Sequence, residues 1–317
     1  MDKKVIFMGT PDFAVASLKQ LIDDGINVVA VVTAPDRPSG RGQKINMSAV
    51  KKFALTQNLP ILQPERFKNE TFLNELKSYK ADLFVVVAFR MLPEVVWSMP
   101  PLGTINLHGS LLPNYRGAAP INWAVINGEK ETGVTTFFIE KEIDTGNIID
   151  KEAICIKETD NAGTIHDKLM AVGAKLLSKT VKDILNGTVN SVPQTDLDLS
   201  EIKHAPKIFK PDCKIDWSED TISIFNKIRG LSPYPTAWTT LVNIEDNTKE
   251  KTIKLFEVDY LVDTKKHSHQ IKIENKKVLF GTSNGWIVLK NIQLEGKKKM
   301  TIEALMNGFD FENYKLK

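Results

Sequence analysis

The chain has 317 residues, of which 42% are hydrophobic and 26% charged, with 18 Gly and 15 Pro. That length suits about two domains, and the composition excludes a disordered, collagenous or coiled-coil chain. Net charge is only +3, too small by itself to identify a polyanionic partner, and two cysteines, Cys155 and Cys213, exclude a disulfide framework and a four-cysteine zinc site.

The first half alternates β and α patterns. Residues 4–8 read as a strand ending at Gly9, where the chain turns tightly. Phe13, Ala16, Leu18, Leu21 and Ile22 then form one face of a helix that closes near Gly25. The apolar, β-branched run 28–32 predicts a strand buried on both faces. Segments 48–57 and 70–79 continue as helices, and 60–63, 83–88 and 104–107 as strands. This alternation predicts an α/β fold with a mostly parallel sheet covered on both faces. The last strand delivers His108 to its carboxyl end, where open α/β sheets bind ligands. Between Thr33 and Ile45, TAPDRPSGRGQKI is too long and polar for a minimal turn, and predicts a mobile basic loop beside the same edge.

Residues 133–139 and 147–156 predict a β pair, and 164–186 a long amphipathic helix. The polar, Pro-containing segment 188–206 reads as a linker. Beyond it, short β runs at 252–258, 270–273, 277–280 and 285–289, separated by Asn, Gly and Lys clusters, predict a small antiparallel barrel or sandwich. The basic excess sits here: from Glu201 onward there are 20 Lys and Arg against 16 Asp and Glu. Pairs and triplets at Lys265-Lys266, Lys276-Lys277 and Lys297-Lys298-Lys299 suit phosphate tracking or the solubility of a small β domain. The N-terminus has no apolar run of signal-peptide length and the chain no 18-residue apolar stretch, so the expected location is the cytoplasm, away from any membrane.

The glycine-rich GTPDFA at residues 9–14 is a poor dinucleotide fingerprint, because Pro11 occupies the second glycine position. The chemistry concentrates in INLHGSLLPNYRGAAPIN, residues 105–122, and EIDTG, residues 142–146. Asn106 and His108 fall on one face of a strand end. Asp144, on a turn before Gly146, is placed to return to that edge. An amide donor, an imidazole and a carboxylate are the groups that stabilise an oxyanion and move a proton in acyl transfer to an amine. Taken singly, a strand histidine or an Asp before Thr-Gly is an ordinary structural residue. A Ser-His-Asp hydrolase built on Ser110 is the competing reading, but GSLLP is not GxSxG. The remaining histidines are scattered and no metal is expected.

Asn106, His108, SLLP at residues 110–113 and Asp144 in DTG together resemble the signature of the folate-dependent formyltransferases. Within them, HGSLLPNYRGAAPI, ETGVT and DTG are similar to the members that formylate methionyl-tRNA. The resemblance continues through FMGTPDFA, APDRPSGRG, VVVAF, HAPKI at His204 and RGLSPYPTAWT at Arg229, and so covers nearly the whole chain. One departure is visible: Ala88-Phe89 is followed by Arg90, where the family usually has Gly.

The resemblance implies a Rossmann-like catalytic domain over residues 1–189, a linker over 190–206 and an OB-like tRNA-binding domain over 207–317. It implies 10-formyltetrahydrofolate as formyl donor, held at Ser110, Leu111, Leu112 and Pro113, and initiator methionyl-tRNA as acceptor. Asn106 and His108 would stabilise the oxyanion, and Asp144 would orient and charge His108. Arg37, Arg41 and Lys44 would contact the tRNA acceptor end, and the protein would act as a monomer without a metal. Formylation of an amino sugar nucleotide by the same Asn, His and Asp is the second enzyme reading. Glycinamide ribonucleotide formyltransferases fit less well, being shorter and reading HPS where this chain has His108-Gly109-Ser110. An RNA-binding protein on a silent scaffold is the reading from another class.

Overall fold

The computed structural model describes residues 3–39, 44–196 and 200–317. The chain divides into two compact units. One comprises Met1–Gly117, Thr132–Ile154 and His166–His204, the other Ala118–Glu131, Cys155–Ile165 and Ala205–Lys317.

The first unit opens with β1 (Val5–Gly9), α1 (Asp12–Asp23), β2 (Val28–Val32), β3 (Arg37–Ser39), β4 (Lys44–Asn46), α2 (Ala49–Thr56) and β5 (Ile61–Leu62). It continues through α3 (Glu70–Ser78), β6 (Leu83–Val87), α4 (Glu94–Trp97), β7 (Thr104–His108) and β8 (Arg116–Gly117). After α5 (Pro120–Ile126), which belongs to the second unit, come β9 (Glu131–Phe138), β10 (Ile148–Cys155) and α6 (Ala162–Asn186). Seven strands form one sheet in the order β10-β9-β7-β6-β1-β2-β5. The strands from β7 through β5 run parallel, and β9 is antiparallel to β7. The chain builds outward from β1 to β2 and β5, then crosses back to β6 and β7. The order therefore reverses beside β1, the kind of switch point at which such sheets leave a crevice at their carboxyl ends.

The uniformly apolar runs VIFMG and LFVVV are buried along their whole length, as strands covered on both faces must be. Helix α1 buries Phe13, Ala14, Ser17, Leu18 and Leu21, while Ala16 and Ile22 are only half-buried. The inward face is thus rotated from the expected one because the small residues Ala14 and Ser17 let the helix lie close to β1. At Gly9 an added Cβ would stand 2.6 Å from the Ala14 Cβ and 3.0 Å from the Val87 carbonyl, so close helix approach explains this glycine better than a tight turn.

The basic segment 33–45 is not simply a loop: β3 and β4 pair antiparallel as a short hairpin. Its base is tied down by Lys51, whose ammonium donates to Asp36 at 2.5 Å and to Gln63 at 2.7 Å. Gln63 in turn donates to Asp36 and to the Ala34 carbonyl. The hydrogen bond from Lys51, then that from Gln63, hold the Asp36 carboxyl below the usual carboxylate range. A depressed carboxyl stabilises the native state above its unfolded pKa and loses that stabilisation as pH falls through the folded value. Protease cleavage of the hairpin base is therefore expected to accelerate below about pH 4 in the wild type, whereas Asp36→Asn is cleaved readily at neutral pH with little further acid dependence. Identical pH profiles for the two proteins would show that the pair does not anchor the hairpin.

The second unit carries an antiparallel sheet in the order Ile271–Glu274, Lys277–Thr282, Gly285–Leu294, Glu250–Val262, Ala237–Asn243, Tyr314–Leu316, with Met300–Thr301 added beside Gly285–Leu294. The edge strands Ile271–Glu274 and Tyr314–Leu316 approach one another, so the sheet is a nearly closed, OB-like barrel. Its interior is filled around Trp217, which is fully buried, donates from Nε1 to Thr239 Oγ1 at 2.9 Å and meets Phe280 edge to face.

Helix α7 (Thr221–Gly230) was not expected from the sequence. Asp220 caps it through the amides of Ile222 and Ser223. Asn122 of α5 donates to the Gly230 carbonyl at 2.8 Å. The motif residue Arg229 is buried at the end of α7 and donates to the carbonyls of Lys157 and Asp160, which assigns it a packing role.

Candidate active site

β7 brings Asn106 and His108 to the carboxyl edge of the sheet, two residues apart and hence on the same face. Register with β9 sets Phe137 opposite Asn106 and Thr135 opposite His108. His108 is buried, with its ring edge against Phe137. Its Nε2 lies 2.9 Å from the Tyr115 carbonyl. A carbonyl only accepts, so Nε2 carries the proton of that bond and Nδ1 is the nitrogen left for other partners.

Nδ1 faces Asp144 Oδ2 at 3.8 Å, longer than a hydrogen bond. Catalytic pairs often show such a separation before substrate tightens them. The same Asp144 oxygen accepts from the Gly117 amide at 2.9 Å, which fixes the carboxylate beside the imidazole. Asp144 itself adopts φ +57°, a left-handed conformation that Asp tolerates and that turns its side chain back to the edge of β7. Gly146, two residues on, has no alternative: a Cβ there would stand 1.8 Å from the Phe138 carbonyl. Asn106 differs from its neighbours, because among the described residues none hydrogen-bonds its half-buried carboxamide.

The turn at Ser110, Leu111, Leu112 and Pro113 follows directly from His108. Thr135 Oγ1 donates to the Ser110 carbonyl at 2.7 Å and accepts from the Leu112 amide at 3.1 Å. Lys151 on β10 donates to the Leu112 carbonyl at 2.5 Å, and loss of hydration around that ammonium holds it below the usual lysine range. The Ser110 hydroxyl is fully buried and donates to the Asn114 carbonyl at 2.7 Å. It is therefore a turn-fixing group, and the Ser-His-Asp hydrolase reading has no nucleophile.

Arg90 lies beyond β6 and after Ala88, which takes φ +45°. Its guanidinium donates to the carbonyls of Pro64 and Glu65 and stacks over Phe67 at 4.1 Å, so the departure at this position is absorbed by the segment 64–67.

The structure thus assembles Asn106, His108, the turn of residues 110–113 and Asp144 on one edge. Arg37 is exposed on β3, 3.6 Å from Glu65, Lys44 lies on β4, and Arg41 falls outside the described residues. Sequence reading missed Tyr115, Thr135 and Lys151, which anchor this edge through backbone carbonyls and amides. Tyr115 in HGSLLPNYRGAAPI and the last Thr in ETGVT carried a signal through the motifs around them, and Lys151 carried none. Among the described residues no group of three His, Cys, Asp or Glu is placed to hold a metal, and no helix is long and apolar enough to cross a membrane.

Known proteins resemble the chain over nearly its whole length. The family model described as formyl transferase matches residues 3–181, and that described as formyl transferase, C-terminal domain, matches residues 207–310. The solved sugar 3N-formyl transferase WlaRD, crystallised with dTDP and 5-N-formyl-THF, superposes with a TM-score of 0.65 over 94% of this chain and all of its own, at 20% identity, and so shares the fold. Methionyl-tRNA formyltransferase of Azobacteroides pseudotrichonymphae is 55% identical over 96% of this chain and 95% of its own length. That of Bacteroides thetaiotaomicron is 50% identical over 99% and 98%. Identity of this degree across both units, added to an edge carrying Asn106, His108 and Asp144, places the chain in the methionyl-tRNA formyltransferase family.

Proposed function

We propose that this chain transfers the formyl group of 10-formyltetrahydrofolate to the free α-amine of methionine on initiator methionyl-tRNA, as a monomer in the cytoplasm. Residues 1–189 carry the chemistry, 190–206 link the parts, and 207–317 hold tRNA phosphates on exposed lysines such as Lys297, Lys298 and Lys299. The single observation that carries the reading is buried His108 facing Asp144 on the same sheet edge as Asn106, whose carboxamide none of the described residues hydrogen-bonds.

Asn106 donates to the oxyanion that develops on the formyl oxygen, a position its free amide suits. Protonated His108 adds charge there, held by the Tyr115 carbonyl and Asp144. A bond forms between the methionine nitrogen and the formyl carbon, and the bond from that carbon to N10 of the folate breaks. Asp144 takes the amine proton, which passes to N10 as the tetrahydrofolate leaves. Ser110, Leu111, Leu112 and Pro113 seat the folate on a turn whose carbonyls and amides Thr135 and Lys151 already hold. No metal enters these steps.

The test is a transfer assay with 10-formyltetrahydrofolate and three acceptors: initiator methionyl-tRNA, elongator methionyl-tRNA and an amino sugar nucleotide. Transfer confined to the initiator is expected. Transfer to the sugar alone would move the chain to the second enzyme reading, and RNA binding without any transfer would leave a silent scaffold. Within the basic sequence 33–45, Arg41→Ala is expected to raise KM for tRNA on the order of 10-fold, as loss of one phosphate contact does, with folate binding unchanged by titration. Equal loss of folate affinity would give the hairpin a structural role instead.

A further inference from the structure

The segment that joins the two matched regions is fastened to the catalytic edge. Val192 and Ile148 exchange backbone hydrogen bonds at 2.9 and 2.8 Å. Two residues on, Gln194 is buried, and its Nε2 donates to the carbonyls of both Asp144 (3.0 Å) and Gly146 (2.8 Å). Its Oε1 accepts from Arg116 Nε at 3.1 Å and Nη2 at 2.5 Å. One carboxamide therefore uses both donor hydrogens and its acceptor to tie the Asp144 turn to the strand that follows the turn of residues 110–113.

The geometry points to Gln194 as a positioning residue for the reaction: it sets the distance between the Asp144 carboxylate and His108 Nδ1. Three features support this. Asp144 sits in a left-handed conformation that the chain has to be held in, and the Gln194 bonds act on that residue's own carbonyl. Arg116 precedes Gly117, whose amide binds the Asp144 carboxylate, so Gln194 grips the aspartate from its backbone while its neighbour grips the side chain. At the far end of the same segment, Lys203 accepts from the Tyr115 amide at 2.5 Å through its carbonyl, and its own amide donates to Asn114 Oδ1 at 3.0 Å. Tyr115 supplies the carbonyl that fixes the His108 tautomer. The segment thus buttresses the acid and the imidazole from two separate points.

This inference rests on the formyl-transfer reading, and its test separates the two. Wild type, Gln194→Ala and Gln194→Glu are compared in single-turnover transfer from 10-formyltetrahydrofolate to initiator methionyl-tRNA, with KM for each substrate, folate affinity by titration and a thermal melt. A carboxylate at 194 still accepts from Arg116 but has no proton for the Asp144 and Gly146 carbonyls. Both variants are expected to lose about 100-fold in kcat, the effect of misplacing a catalytic group by about an ångström, with KM and folate affinity little changed. Should Gln194→Ala fail to fold, Gln194→Glu carries the test alone. Wild-type kcat in Gln194→Glu, or a loss confined to KM or melting temperature, would overturn the positioning role. No transfer by the wild type would instead sink the reading beneath it.

Discussion

His108→Ala is expected to lower kcat for formyl transfer by about 10³-fold, within the range that a positioned acid-base group contributes. In the proposed reaction the substitution removes the protonated ring that stands beside Asp144 and faces the developing oxyanion. It also leaves the Tyr115 carbonyl without its donor at a buried site and opens space against Phe137. An unmade buried hydrogen bond of this kind costs about 1 to 3 kcal/mol, so a lower melting temperature accompanies the kinetic loss. Folate affinity by titration is the control, because the turn at residues 110–113 is held by Thr135 and Lys151 and not by His108. A variant that keeps a tenth or more of the wild-type rate would show that His108 is a structural residue of the β7 edge.

Asp144→Asn separates charge from shape. The carboxamide keeps an oxygen for the Gly117 amide, and the backbone remains tied through the Asp144 carbonyl. What disappears is the negative charge beside His108 Nδ1. The expected result is a fall of about 10³-fold in kcat with a melting temperature close to the wild type, distinguishing it from His108→Ala, where both change. Near-normal transfer across the pH range would remove the Asp144 charge from the mechanism.

The parts of the fold that follow from local chemistry were legible before the structure. Runs such as VIFMG and LFVVV leave little choice but strands buried on both faces, and their bounds agree within a residue. Where two patterns overlap, the reading was shorter than the element. Glu250–Val262 was seen only as 252–258, because register shifts between Leu255 and Val258 break the alternation that marks a strand. Helix α7 went unread because TISIFNKIRG is rich in β-branched and polar residues with modest helix propensity, and its stability comes from burying Ile224, Phe225 and Ile228.

The site was legible in a different way. Period-2 spacing alone put Asn106 and His108 on one face, but spacing could not bring Asp144 to them across 36 residues of sequence. The turn before Gly146 offered that return, the resemblance joined the three residues into one signature, and the left-handed conformation at Asp144 is how the chain achieves it. Gln194 carried no signal at all. It is one polar residue in a polar segment, and its importance lies in what it bonds to in space. Arg90 shows the converse: an unusual residue in the sequence proved to be an ordinary clamp on segment 64–67.

The most direct test of the central claim is single-turnover formyl transfer to initiator methionyl-tRNA by the wild type and by Asn106→Ala, since in the proposed reaction Asn106 donates to the oxyanion and it has no described structural partner to lose. The account predicts transfer by the wild type and a fall of about 10² to 10³-fold in the variant, with melting temperature and folate affinity unchanged. Equal rates for the two proteins would contradict the assignment of this sheet edge as the catalytic centre.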